Sequence, residues 1–444
     1  MKQIFMSVLA GLICVFSQAQ TTTLTEIFQQ AASYPGLSAQ SANIEAAKIN
    51  YKISKREILP NLNFQAQNTY GTYQGINGAF FPTSGIFNVS GDGSSGETSV
   101  NTFISATAQW DFIQFGKHRD QVKMSKIDQD KAQTDWDLLE VELKKDLASV
   151  YISWLYSNHM MNWAKKEVER DSLILNLARS KVNSGLASAA DSLLAITKLK
   201  QTLSQKKKWE AQIETSKNRI TELTGMRLND EQPAEQFLST YQTEFLKEDS
   251  SPHPLILSKT FEKEWLEVQE KNISHQVLPN ISLLAGGMLR GVGFEDGNQW
   301  RDSYELPISN YLIGLGLSWD ISGFYSKGLK KQLNQQQQIQ VEEEKEVVQR
   351  HLEERENSLQ NQIDKSFEEI TEAEEAYEAA RETFRLFKVR YESGIIDLAT
   401  LLQIQQSLQF TEKSRLKAYY NYWNYWNAYA YSTADFSVLI NVFN

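Results

Sequence analysis

Four charged residues in the C-terminal half have the spacing of a single helix face. Glu375, Glu378 and Glu382 follow one another at intervals of three and four residues, and Arg385 stands one turn further on. Side chains at these intervals are neighbours on a helix surface. A ring of such carboxylates from symmetry-related copies could select cations, or its members could repel one another. An ordinary solvated helix face explains the pattern equally well, so the residues alone leave both interpretations open.

No other group of residues suggests chemistry. The five histidines are scattered, and none has a second ligand at metal-binding spacing. The sequence contains no Gly-rich phosphate loop, nucleophile elbow or zinc motif. We therefore predict no catalytic residue, no cofactor and no metal site, and we expect the protein not to be an enzyme.

The N-terminus predicts export from the cytoplasm. "MKQIFMSVLAGLICVFSQAQ" has a basic start at Lys2, a short apolar run and small residues before position 20, so we predict a cleaved signal peptide over 1–19. The only cysteine, Cys14, lies in that run behind Ile13, which is the wrong neighbour for lipidation. The rest of the sequence has no run of 18 apolar residues, so no membrane-spanning helix is expected. The net charge of −10 argues against a nucleic-acid partner.

The chain repeats itself at an offset of 209 residues. Trp110-Asp111 falls on Trp319-Asp320, and Ser184-Gly185 falls on Ser393-Gly394. Between these anchors, apolar residues recur every seven positions in the same register, and a second stripe alternates with the first. Such a pair of stripes is typical of a coiled-coil seam. Two copies with no net insertion between the anchors indicate an internal duplication.

Each copy reads as helix, strand, strand, long helix and return helix. We predict a first repeat over 20–225, an equatorial connector over 226–252 and a second repeat over 253–444. The first repeat opens with a helix over about 24–58, followed by strands over about 61–76 and 101–113, a long helix over about 117–182 and a return helix over about 188–224. The second opens with a helix over 253–277, followed by strands over about 280–291 and 309–321, a long helix over about 326–391 and a return helix over about 398–431.

The four strands have the alternation and length of tilted membrane strands. In "YLIGLGLSWDI", for example, Tyr311, Ile313 and Leu315 alternate with Gly314 and Gly316. Four strands cannot close a barrel, and lipid does not tolerate open sheet edges. Three chains would supply twelve strands, an even number in the permitted range.

Taken together, these features resemble the TolC-type outer-membrane efflux proteins, the outer membrane factors. The resemblance rests on the signal peptide, the duplicated unit, Leu-Pro-Asn before each first strand, Trp-Asp near each second strand end, and Tyr391-x-x-Gly394. It implies a mainly α-helical protein with a membrane β-barrel segment, in which a homotrimer forms a 12-stranded β-barrel continuous with a 12-helix α-barrel tunnel. It also implies a location in the outer membrane of a Gram-negative bacterium, in contact with its lipid, and a large periplasmic extension.

The resemblance also assigns roles to the two Ser-Gly turns and to the acidic face. A periplasmic adaptor, driven by an inner-membrane pump of RND or ABC type, would dock on the hairpin tips. The docking residues would be Ser184, Gly185, Leu186, Ser393, Gly394 and Ile395. The family closes its tunnel near the tips with acidic residues, so Glu375, Glu378 and Glu382 become candidates for the periplasmic gate. Arg385 stands where the family's second acidic residue is expected, which makes it a gate candidate too and indicates a salt-bridged lock instead of a simple acidic ring. The alternative function is a periplasmic coiled-coil structural protein that never inserts into a membrane.

Overall fold

The computed structural model describes residues 23–72, 98–228, 235–241, 252–294 and 299–444. The predicted signal peptide, the end of the first predicted strand beyond 72 and most of the predicted connector lie outside these residues. The described residues form two compact units. The first unit contains residues up to 41, 135–256 and 347–444, and the second contains 42–134 and 257–346.

The elements follow the duplicated order. In the first copy they are α1 (Leu24–Ala31), α2 (Pro35–Arg56), β1 (Asn61–Thr72), β2 (Thr98–Ile113), α3 (Lys117–Asn183) and α4 (Ala189–Thr224). In the second copy they are α5 (Pro254–Gln276), β3 (Asn280–Phe294), α6 (Gln299–Tyr304), β4 (Ile308–Ser318), α7 (Gly323–Glu392), α8 (Leu398–Thr433) and α9 (Ser437–Val442). A short 3-10 helix, Glu235–Leu238, lies between the copies. The predicted fold class, mainly helical and built from a repeated helix–strand–strand–helix–helix unit, is confirmed.

The prediction of a single helix over 24–58 is wrong, because the structure has two helices there, α1 and α2. Thr23 caps α1 with a capping box, in which its hydroxyl accepts from the Glu26 N–H and the Glu26 carboxylate accepts from the Thr23 N–H. Pro35 then begins α2. Proline fits the first turn of a helix but disfavours helical backbone at the residue before it. The break therefore falls at Pro35.

The strands form one antiparallel sheet in the order β1–β2–β3–β4. The register pairs Phe64 with Ala106, Ala106 with Gly287, and Gly287 with Tyr311. Because side chains alternate along each strand, these residues share one face, and the intervening residues share the other. Within the described residues, β1 and β4 each have one neighbouring strand.

The repeated Trp-Asp and Leu-Pro-Asn motifs meet in the structure. The indole N–H of Trp110 donates to the Ile58 carbonyl at 2.8 Å, two residues before Pro60. In the second copy, Trp319 donates to the Val277 carbonyl at 2.9 Å. Each tryptophan thus ties the end of one strand to the point where the preceding helix passes into the other strand of its copy.

The first unit has a core rich in aromatic side chains from α8. Trp423 and Trp426 are almost completely buried, and the Trp423 indole donates to the Phe237 carbonyl at 3.0 Å. Tyr422 contacts the Tyr241 main chain through its hydroxyl, which donates to the carbonyl at 2.6 Å. The aromatic segment of α8 therefore packs the core around the short 3-10 helix.

Among the described residues, no helix is both long enough and apolar enough to cross a membrane.

Candidate functional site: two hairpin tips and an exposed sheet face

The turn after α3 ends the helix by a Schellman arrangement. The Leu186 N–H donates to the Lys181 carbonyl at 2.9 Å, and the Gly185 N–H donates to the Val182 carbonyl at 3.0 Å. Gly185 has a φ of 73°, a conformation that costs little only for glycine. Ser188 then caps α4, with its hydroxyl accepting from the Ala190 N–H.

The turn after α7 repeats the same geometry. The Ile395 N–H donates to the Arg390 carbonyl at 2.9 Å, and the Gly394 N–H donates to the Tyr391 carbonyl at 3.1 Å. Gly394 has a φ of 75°, and Asp397 caps α8 by accepting from the Thr400 N–H at 2.9 Å. Both Ser-Gly pairs are therefore the turns of helical hairpins.

Each turn carries an exposed aliphatic residue directly after its glycine. Leu186 is 78% exposed and Ile395 is 72% exposed. The serines and glycines beside them are exposed as well. The two tips therefore present matching apolar side chains that this chain itself does not cover.

A lysine joins the two hairpins just before their turns. The Lys181 ammonium donates to the Tyr391 carbonyl and lies 4.2 Å from the centre of the Tyr391 ring. Tyr391 is buried, and burial together with the charge of Asp191 raises the pKa of its hydroxyl. Sequence reasoning did not find this contact, because the two residues are 210 positions apart. The only available signal was their position next to the two repeated Ser-Gly turns.

The gate candidates all lie on the exposed surface of α7. Glu382 accepts from Arg385 at 2.6 and 2.8 Å, and Glu378 pairs with Arg381 at 3.0 Å, whereas Glu375 is exposed. The hydrogen bond from Arg385 holds the pKa of Glu382 below its ordinary value. The structure thus pairs two of these glutamates with arginines of their own helix.

The second unit carries a second candidate functional surface, the apolar face of the sheet. Its exposed large residues include Leu62, Phe64, Tyr70, Leu289, Tyr311, Ile313, Leu315 and Leu317. The opposite face carries mostly polar residues and glycines, such as Asn63, Gln65, Thr107 and Gly314. Exposed apolar patches larger than a few hundred Å² are unusual on soluble proteins and mark contact with a partner or with lipid.

Within the described residues, no group of three or more histidine, cysteine, aspartate or glutamate side chains is placed to hold a metal ion. The geometry therefore offers two tips and one apolar face as candidate functional surfaces.

Comparisons with known proteins agree with this architecture. Residues 28–226 match the family model of the outer membrane efflux proteins. The outer-membrane channel OprN is similar in structure, with a TM-score of 0.73 and 17% identity over 92% of this chain and 89% of its own. The CmeC outer membrane channel of Campylobacter jejuni has a TM-score of 0.67 and 17% identity, covering 92% of this chain and 85% of its own.

The open state of the MtrE outer membrane channel of Neisseria gonorrhoeae is also similar, with a TM-score of 0.70 and 14% identity over 93% of this chain and 89% of its own. No curated protein sequence matches the chain closely. Residues 28–226 thus match the outer-membrane efflux family that the sequence resembles, and nearly the whole chain shares the fold of outer-membrane channels.

Proposed function

We propose that this protein is the outer-membrane exit duct of a tripartite efflux or secretion system. It conducts substrate passively from a periplasmic adaptor and an inner-membrane pump to the outside. The observation that carries the proposal is the exposed apolar face of the four-stranded sheet. A protein that stays in water gains nothing from a broad apolar face, whereas lipid favours it.

The two sheet edges favour a homotrimer. β1 and β4 each present an edge whose backbone groups need partners, and unpaired groups cost several kcal/mol each in lipid, as an order-of-magnitude figure. Pairing β4 of one copy with β1 of the next closes a ring, and three copies supply twelve strands. A ring of this kind satisfies every edge without a further protein.

The hairpin tips are the proposed docking surface for the adaptor. Leu186 and Ile395 are the largest exposed apolar residues of the two turns, and the glycines before them let the chain reverse within a few residues. Ser184, Gly185, Ser393 and Gly394 complete the proposed surface. The matched geometry of the two tips supports a partner that contacts both in the same way.

The proposed gate combines the acidic face of α7 with the contact between the hairpins. Glu375, Glu378, Glu382 and Arg385 remain the candidate residues of that face. The Arg385 pairing of Glu382 favours a salt-bridged arrangement over a ring of free carboxylates. The Lys181–Tyr391 contact adds a direct connection between the two hairpins.

The mass of the detergent-extracted particle tests the proposal. We would isolate the outer-membrane fraction, extract the protein and measure its mass by light scattering with the detergent contribution removed. The expected result is a protein mass close to three chains. A water-soluble monomer or dimer, recovered without detergent, would overturn the duct and support the non-inserted coiled-coil alternative.

A further inference from the structure

Two carboxylates lie buried one turn apart on α3. Glu167 is 0% exposed and Asp171 is 2% exposed. Carboxylates are rarely this buried without partners that satisfy their charge. The pair lies in the first unit, before the Ser184-Gly185 turn, and Asp171 interrupts the apolar heptad stripe at this point.

Amide groups of α8 hold the pair from the opposite side. The Gln405 side chain donates to an Asp171 oxygen at 2.6 Å and also to Oε1 of Glu167. The Gln409 side chain donates to the same Glu167 oxygen. Glu167 therefore accepts two amide hydrogen bonds on one oxygen, and these bonds join α3 to α8.

α4 contributes a hydroxyl and an ammonium group. The Thr202 hydroxyl donates to Asp171 at 2.6 Å. The Lys198 ammonium donates to Oε1 of the Gln409 side chain at 2.6 Å, which orients that amide with its N–H groups toward Glu167. The three helices α3, α4 and α8 thus meet at this cluster.

Arg170 links the buried pair to a third carboxylate. Its guanidinium pairs with Glu167 at 2.6 Å and with Glu412 of α8 at 2.8 Å. The Arg170 guanidinium also lies over the Phe384 ring of α7, at 5.5 Å. Lys413 stands nearby, but its ammonium donates to the Gln205 amide at 3.1 Å.

Burial raises the pKa of Glu167, with Asp171 adding to the effect and Arg170 and the two amides opposing it. Glu167 therefore takes up a proton at a higher pH than an ordinary glutamate side chain does. A proton on Oε1 would face two N–H donors, and a proton on Oε2 would face the Arg170 guanidinium. A proton on Oε1 would displace an amide of α8, and a proton on Oε2 would weaken the pairing with Arg170, which itself bridges to Glu412 of α8.

The equivalent positions of the other copy contain no such cluster. An offset of 209 residues places Ala376 and Ala380 at the two carboxylate positions, and Ile196 and Lys200 at the two glutamine positions. The network therefore exists at only one of two related places in the chain. A feature needed simply to pack the repeat would be expected in both copies.

We propose that Glu167 and Asp171 form a proton-operated latch between α3 and α8. With both carboxylates ionised, the amides and Arg170 hold the two helices together. Uptake of one proton at Glu167 releases part of this network and loosens the contact. In the duct proposed above, on which this consequence rests, acidification around the helices would favour separation of the hairpins.

Hydrogen exchange of the full-length protein in detergent tests the latch. Exchange would be measured by mass spectrometry between about pH 8 and about pH 5 and corrected for the intrinsic pH dependence of amide exchange. We expect peptides covering 163–178 and 401–416 to exchange roughly tenfold faster at the acidic end. Peptides from β3 serve as an internal reference and should not change.

Three variants make the result specific. In Glu167→Gln, the amides of peptides 163–178 and 401–416 should exchange rapidly at every pH, because glutamine mimics the protonated carboxyl group. Asp171→Asn removes the neighbouring charge and should move the midpoint of the wild-type transition to lower pH. Glu169→Gln, which alters an exposed residue of the same helix, should behave as wild type.

Protection that does not change with pH in the wild type overturns the latch. A pH-dependent loss that persists unchanged in both Glu167→Gln and Asp171→Asn overturns it too. Planar-bilayer conductance over the same pH range separates the two proposals. A pH-dependent change in exchange without any conductance supports the latch and contradicts the duct. Conductance together with pH-independent exchange supports the duct and contradicts the latch.

Discussion

Burial and two hydrogen bonds fix the protonation state of His253. Its Nε2 lies 3.1 Å from the Tyr431 carbonyl, to which it donates, and its Nδ1 accepts from the Leu255 N–H at 3.2 Å at the start of α5. Burial lowers the pKa of His253 below its ordinary value of 6.5. The folded protein therefore needs the neutral ring, because protonated Nδ1 could not accept the Leu255 N–H.

The free energy of unfolding should fall as the pH drops below about 6.5, the ordinary histidine pKa. In that range His253 takes up a proton in the unfolded chain but not in the folded protein, and this difference favours unfolding. The contribution of His253 to stability is therefore complete above its pKa in the unfolded chain. It decreases as the pH falls toward its lower pKa in the folded protein. Denaturant unfolding of wild type and His253→Asn at several pH values checks this. The free energy of unfolding of His253→Asn should decrease less steeply with falling pH than that of wild type. His351→Asn, which alters an exposed position, should show the same pH dependence as wild type. Equal slopes in all three proteins would rule out His253 as the source.

Lys181 supplies a charged contact between the two hairpins, and its loss should raise leakage through the proposed duct. Lys181→Met removes the ammonium that donates to the Tyr391 carbonyl and lies over its ring. A charge-assisted hydrogen bond contributes about 1.5 kcal/mol or more, which corresponds to roughly a tenfold change in an equilibrium. Leakage through reconstituted protein, measured in a planar bilayer, should rise by roughly that factor. Lys166→Met, an exposed change on the same helix, is the control, and equal leakage in both variants would contradict the assignment.

Residue-scale contacts of this kind could be predicted from the sequence only in part. Asp171 was visible as a break in a heptad stripe, but nothing near it identified its partner. Gln405 lies 234 residues away, and glutamine on a helix usually faces solvent. Pairing across such a distance depends on how the helices assemble, which a local pattern does not encode.

At the scale of elements, the patterns that extend over many turns located the helices well. The long helices predicted over 117–182 and 326–391 lie at Lys117–Asn183 and Gly323–Glu392. Many heptads agree on one register, so a single unusual residue does not obscure the pattern. Short elements carry no such redundancy, and α6, α9 and the 3-10 helix were not predicted. The division between α1 and α2 depended on one proline, and sequence reasoning overlooked it.

Gly394 and Gly328 allow a direct test of the hairpin turn. Both have open space where a Cβ would be placed, but only Gly394 has a positive φ, at 75°. Gly394→Ala should destabilise the protein by about 1–2 kcal/mol, because the left-handed conformation disfavours L-residues. Gly328→Ala, inside α7, should instead stabilise it by about 0.5–1 kcal/mol. Thermal unfolding of both variants against wild type measures the two effects, and a shift of the same sign in both would contradict the role given to the Gly394 turn.

The Gly394 variant should also weaken adaptor docking without preventing assembly. The particle mass reports assembly and should equal that of wild type. A pull-down with the adaptor reports docking and should recover less of the variant. Full docking by Gly394→Ala would remove this tip from the proposed surface.

At the scale of the whole molecule, the two faces of the sheet define how the protein meets its surroundings. Ile313 and Leu312 are neighbours on β4, are 69% and 54% exposed, and point to opposite faces. Ile313→Lys places a charge on the apolar face and should cost roughly 2–4 kcal/mol of membrane stability. Leu312→Lys places the same charge on the other face and should be tolerated. The amount of each variant recovered in the outer-membrane fraction checks the prediction, and equal recovery would count against lipid contact.

The alternation that defines these faces was readable in the sequence, whereas the pairing of strands was not. β2 and β3 are separated in the sequence by the helices α3, α4 and α5, yet they are neighbours in the sheet. The alternating segments could be identified as strands because Leu-Pro-Asn precedes the first strand, and Trp-Asp lies near the end of the second, in both copies. The order of strands required the fold itself.

The tryptophan contacts at the ends of β2 and β4 tolerate a change of the residue that accepts them. Each indole donates to a main-chain carbonyl, an atom that every amino acid supplies, so the acceptor residue can be substituted without loss of the bond. The two copies of the repeat differ in this way, since the acceptor residue is Ile58 in the first copy and Val277 in the second. Only the tryptophan donor has to be kept for the bond to form. A junction held in this way puts no demand on the side chain that precedes each Leu-Pro-Asn motif.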